Sequence, residues 1–136
     1  MRKYRMPVFT WALVLFAAAI VSMPVKAAQK TAPSSAAVSM KGEIIDPQCY
    51  FIHGSHGPDH AACAAKCARG GQGLAFLDDA SGVVYPIIAS THGGDQNAGL
   101  IPHLGKPVQV KAVVLRHASN AVVMLQSVVD RSAGVR

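Results

Sequence analysis

From Val38 onward apolar and polar side chains alternate, and Val38-Ser-Met-Lys-Gly-Glu-Ile-Ile45 places Val38, Met40 and Ile44 on one face of an extended segment. This period predicts a strand, which Asp46-Pro47 stops. His53-Gly-Ser-His-Gly-Pro58 reads as a loop. Asp59 is placed to cap a helix over the alanine-rich run Ala61–Ala68, because its carboxylate can accept from the free amides of a first turn. Gly70-Gly71 ends that helix. Leu74–Leu77 and Val83–Ile88 read as strands flanking the turn Asp78–Gly82, a hairpin with a longer loop. Thr91–Asp95 is a polar loop, and Asn97–Leu104 predicts a short helix closed by Gly105. Lys106–Arg116 and Ala121–Val129 are rich in valine and flank a His-Ala-Ser-Asn turn, a second hairpin.

The predicted order is strand, helix, two strands, short helix, two strands. Five short strands imply a mainly β fold, a small five-stranded barrel like the oligonucleotide/oligosaccharide-binding (OB) fold. The helix over Ala61–Ala68 is an insertion after the first strand, and the short helix precedes the last hairpin. A closed barrel removes sheet edges, which are aggregation hazards.

The chain upstream of Val38 has a different character. Arg2, Lys3 and Arg5 precede an apolar stretch from Pro7 to Val25, interrupted by Thr10 and Ser22, and Val25 and Ala27 stand at the −3 and −1 positions of a cut after Ala27. A basic start, an apolar centre and a small-residue exit are the parts of a secretory signal peptide. The centre, Trp11–Val21, is short of the ~20 residues that span a bilayer comfortably. Residues 1–27 are therefore read as a cleaved signal rather than an anchor, with 28–37 as a flexible tail of small and polar residues. Residues 38–130 form the domain and 131–136 a C-terminal tail. The protein is expected in the periplasm or secreted, with no membrane attachment once the signal is cut.

That division changes the meaning of the charge. The 136-residue chain carries a formal +6, from 13 Lys+Arg against 7 Asp+Glu. Its pI near 9.6 invites a nucleic-acid reading. Arg2, Lys3, Arg5 and Lys26 leave with the signal, so nine basic residues face seven acidic ones and the charge falls to +2. The remaining aromatics, Tyr50, Phe51, Phe76 and Tyr85, form no stacking motif, and no nucleic-acid partner is expected.

The chemistry concentrates in one segment. All three cysteines and three of the six histidines lie between Cys49 and Cys67. On a helix turning about 100° per residue, His60, Cys63 and Cys67 fall within an arc of about 60°. Cys49, just after the first strand, can close over that stripe across the glycine-rich loop. Three sulfurs and one imidazole suit four-coordinate binding of a soft or borderline metal, so Cys49, His60, Cys63 and Cys67 are the predicted ligands of zinc or copper. His53 and His56 are loop residues that stand either as alternative ligands, as donors to a ligand shell, or simply exposed. His92 is a weaker candidate, His103 and His117 read as surface residues, and Met40 and Met124 as core. Haem attachment through Cys-x-x-Cys-His is excluded, since Ala68 follows Cys67.

Gly42-Glu-Ile-Ile-Asp-Pro-Gln-Cys-Tyr50, followed by His60-Ala-Ala-Cys-Ala-Ala-Lys-Cys-Ala68 and Gly70-Gly71, resembles a group of small exported bacterial OB-like proteins. In that group Cys-Tyr follows the first strand and a His-x-x-Cys-Ala-x-x-Cys-Ala helix comes next. The resemblance covers residues 38–130, with its specific part in 43–71. It implies the barrel and the co-occurrence of the three cysteines with His60, and it implies no activity.

Three functions are carried forward. The first is an exported metal-binding protein serving as a structural clip, a store or a delivery protein, the last implying a periplasmic partner protein. The second is a thiol-redox or disulfide-bearing protein, its thiolate activated by a helix N-terminus and by His60 or Lys66. The third is a non-catalytic OB-like binding module. No residue is assigned a catalytic role, since Gly-x-Ser-x-Gly and His-Glu-x-x-His are both absent.

Overall fold

The first strand ends where its own sequence forces it to. β1, Val38–Ile45, runs into Asp46-Pro47, and proline can neither donate to a ladder nor extend one. A computed structural model describes residues 36–131. The signal peptide expected at 1–27, most of the tail expected at 28–37 and all but the first residue of that at 131–136 lie outside the described residues. Four strands follow β1: β2, Ala75–Asp78; β3, Val84–Ile88; β4, Pro107–His117; and β5, Asn120–Asp130.

The strands pair in the order β1-β2-β3-β5-β4, and β4 returns to β1, so the five-stranded sheet closes in a ring. All pairs are antiparallel except β3 with β5. The two predicted hairpins are both present. Gly42 shows how β1 serves two neighbours: it stands opposite Asp78 of β2 and Val108 of β4. A Cβ there would run into the Leu77 carbonyl and the Phe76 ring, so the close approach needs glycine. The β4–β5 register shifts at Lys111/Ala112, a bulge of the kind that lets a small sheet curve onto itself.

Alternation along the strands sends Ile44, Phe76, Tyr85, Ile87, Val108, Val110, Ala112 and Val123 inward. The core is capped by α2, Ala61–Arg69, which buries Ala64 and Ala68 and half-buries Ala61 and Ala65. Alanine on that face lets the helix lie close to the sheet. Leu100 and Leu104, from the loop before β4, complete the core.

Three local expectations are corrected. A helix not predicted from the sequence, α1, Pro47–His53, stands directly after β1, so the insertion holds two helices. Asp59 does not cap α2; a 3-10 turn, Pro58–His60, leads into that helix without a side-chain cap. Asn97–Leu104 holds only a 3-10 turn, Ile101–His103, because proline at 102 and Gly99 in the left-handed region interrupt a helical run. Among the described residues no helix is long and apolar enough to cross a membrane.

Candidate metal centre

Asp46 builds the first wall of the site. Its Oδ1 accepts from the backbone N–H of Gln48 at 2.9 Å and of Cys49 at 3.3 Å, capping α1, and Pro47 fills the first helical position. This cap puts Cys49 in the first turn of α1, close above Asp46. α1 ends at Gly54, whose left-handed backbone (φ 66°) lets its N–H reach the carbonyls of Cys49 and Tyr50.

The chain must then turn back to bring α2 alongside. Glu43 of β1 holds the return: Oε1 accepts from the Gly57 N–H at 2.6 Å, and Oε2 meets His56 Nδ1 at 3.0 Å. His56 also lies edge-on to the Tyr50 ring. Gly105 allows the returning loop to pack close, since a Cβ there would stand 2.7 Å from Ala61 Cβ and 2.9 Å from the Gly57 carbonyl. At its far end, α2 is tied down by buried Asn97, which donates to the carbonyls of Ala68 at 3.3 Å and Gln72 at 2.8 Å.

These supports bring the predicted ligands together. The sulfurs of Cys49, Cys63 and Cys67 lie within 4.8 Å of one another. Three Zn–S bonds of about 2.3 Å need sulfurs no more than about 4 Å apart, a spacing inside that limit. All three cysteines are free thiols; Cys63 is exposed and the other two half-buried. His60 joins a second set within the same distance, with Cys49 and Asp46. Cys49, Cys63, Cys67, His60 and Asp46 thus lie close enough to hold a metal ion, as two triads sharing Cys49.

Asp46 is the ligand candidate that sequence reasoning missed, having read it only as a strand stop. The signal for it was the spacing Asp-Pro-x-Cys, a cap residue three positions before a cysteine. His53 is exposed, and His56 is engaged by Glu43, so neither joins a donor set. His92 and His117 are exposed. His103 is half-buried and paired with Asp130 at the base of β5, more engaged than a plain surface residue. Met40 packs against the core as expected.

Cys49 and Cys67 are held away from the activated, thiolate form. Burial and the neighbouring Asp46 carboxylate push the Cys49 thiol up from 9.0 to about 11. The same carboxylate, as the larger cause, together with burial, raises Cys67. Burial pushes Asp46 up as well, but the thiols of Cys67 and Cys49 and the N–H groups of Cys49 and Gln48 outweigh it, and its carboxyl titrates below the usual value. Those thiols face the carboxylate without forming full hydrogen bonds: Asp46 Oδ2 is buried with no partner, and so is His60 Nε2.

No known protein family, curated protein or solved structure matches the chain.

Proposed function

We propose that this chain is an exported metal-binding protein that holds zinc(II) or copper(I) through the thiolates of Cys49, Cys63 and Cys67, with His60 and Asp46 beside them. The observation that carries the reading is the convergence of three free thiols, from two helices, within 4.8 Å. Thiolates select soft and borderline ions, and both candidates accept a sulfur-rich, three- or four-coordinate shell. The redox alternative is disfavoured, because Cys49 and Cys67 are both pushed toward the protonated thiol, opposite to what an activated thiol needs.

Storage or delivery fits better than a structural clip. Cys63 is open to solvent, which leaves the sulfur triad reachable by a protein that delivers or takes the ion. The ring also has an apolar core of its own, from Ile44 through Val123, that owes nothing to a metal. Phe51 and Ile52, 72% and 63% exposed, follow Cys49 on α1 and offer a partner protein an apolar tip beside the cluster. The basic and apolar residues before Ala27 support export to the periplasm. The strand order and the parallel β3–β5 pairing support an OB-like fold, and the positions of Cys49, His60, Cys63 and Cys67 are compatible with the motif of the exported group they resemble.

The test is elemental analysis of protein isolated from the periplasm, alongside thiol alkylation in the native fold. The expected result is bound zinc or copper that protects the thiols and is lost in the Cys49→Ser/Cys63→Ser/Cys67→Ser variant. No metal above trace levels, with all three thiols open to alkylation, refutes the proposal.

A further inference from the structure

The two donor triads meet at one atom, the sulfur of Cys49. The second triad has a need that the protein meets only weakly, through the thiols of Cys67 and Cys49 that face Asp46. Asp46 is 1% exposed; Oδ1 is occupied by the α1 cap, and Oδ2 has no hydrogen-bond partner. His60 Nε2 is also buried and unpartnered, and these two atoms are the only side-chain atoms in that state identified among the described residues. Leaving a buried polar atom unsatisfied costs the fold stability. The chain accepts that cost twice, in side chains brought within 4.8 Å of each other.

On the side away from Cys49, the cleft that Asp46 and His60 line with Glu43, His56 and Gly105 has no room for a water molecule. A bare cation is smaller, forms bonds of about 2.0–2.2 Å to nitrogen and oxygen, and is the partner that a carboxylate oxygen, an imidazole nitrogen and a thiolate have in common.

The donor sets, not a fixed charge, point to the number of ions: a thiol gives up its proton as the ion binds, and the donors fall into two triads that share only Cys49.

Resting on the metal-binding reading above, we propose that the centre takes two divalent ions bridged by the Cys49 thiolate. One is held by Cys49, Cys63 and Cys67, and the other by Asp46 Oδ2, Cys49 and His60 Nε2. The sulfur-only triad loads first with a soft or borderline ion, and the mixed triad takes the second. A protein of this kind carries two ions per chain at saturation and passes through a one-ion form.

The experiment titrates the metal-free, reduced protein with Zn(II) and counts ions by native mass spectrometry. A parallel sample loaded with 113Cd(II) is examined by NMR. Wild type is expected to bind two ions and to show two cadmium resonances coupled to each other through the shared sulfur. Asp46→Asn/His60→Gln is expected to bind one ion and show one resonance; asparagine keeps the helix cap, so α1 is retained. His60→Gln alone leaves Asp46 untouched, and a second-ion affinity at least tenfold weaker is expected there. A wild type that binds one ion, unchanged in both variants, overturns the two-ion centre while leaving metal binding intact. Two ions in the double variant, or two uncoupled resonances in wild type, also overturn it. A wild type that binds no ion overturns the broader reading instead.

Discussion

Asn97 belongs to the loop between β3 and β4, yet it is buried and decides where α2 ends. Its Oδ1 accepts from the Leu74 N–H at 3.1 Å, and its Nδ2 donates to the carbonyls of Ala68 and Gln72. Asn97→Ala removes all three bonds, and their costs differ. The Leu74 N–H belongs to a buried residue and has no other acceptor, so it pays the full penalty of an orphan, ~1–3 kcal/mol. The Ala68 carbonyl keeps the Gly71 N–H at 3.1 Å and loses only about 0.5–1 kcal/mol. The Gln72 carbonyl belongs to a half-buried residue and turns to water at little cost. The sum is about 1.5–4 kcal/mol; at ~4–8 °C per kcal/mol for a domain of this size, Tm falls by roughly 6–30 °C. Asn97→Asp is the sharper control. It keeps an acceptor for Leu74 but turns a carboxylate oxygen toward two carbonyl oxygens, so it should destabilise at least as much as alanine. Urea and thermal unfolding of the metal-free protein, followed by circular dichroism, measures both. A loss below 1 kcal/mol for alanine, or an aspartate milder than alanine, refutes the assignment of Asn97 as the tie between α2 and β2.

The thiols give a pH dependence with a definite sign. The fold raises the Cys49 pKa from 9.0 to about 11, so this contribution to stability is present below pH 9 and lost as pH rises through 11. Cys67 adds in the same direction. Metal-free wild type should therefore lose stability across that window in equilibrium unfolding, and Cys49→Ser should flatten the loss. Gly105→Ala should cost about 2–4 kcal/mol in urea unfolding, because a left-handed backbone (φ 73°) costs alanine about 1–2 kcal/mol and its Cβ would press on Ala61 and the Gly57 carbonyl. The displaced segment carries His60, so the same variant should also bind metal more weakly, and unchanged stability would contradict the packing described. Chelation should lower Tm, since an ion at 100 times its Kd adds about 2.7 kcal/mol to stability; a Cys49→Ser/Cys63→Ser/Cys67→Ser variant should show no chelator response.

The ring was legible because its signals are local. Period-two alternation in β1 and valine-rich runs around short turns mark strands wherever they fall in the fold, and the i, i+4 spacing of Cys63 and Cys67 puts both on one helical face without reference to anything else. α1 was illegible for a corresponding reason. It buries no residue, it exposes Phe51 and Ile52, and at seven residues it has no amphipathic period to detect; only its caps, Asp46 and Gly54, announce it. The placement of Asp46 and Cys49 beside α2 depends on Glu43 gripping Gly57 and on the tight pass at Gly105, contacts between residues far apart in sequence. The division of the ligands into two triads has a still more specific cause. Placing His60 on the stripe of Cys63 and Cys67 assumes that 100° per residue holds from residue 60 onward. The α-helix begins at Ala61, and His60 closes a 3-10 turn, where the rotation is nearer 120° and the side chain is not engaged in capping. One step at 120° shifts His60 by only about 20°, so the wheel still keeps it near Cys63 and Cys67; what groups the imidazole with Asp46 and Cys49 is where the β1–α1 junction stands beside α2, which no helical wheel contains.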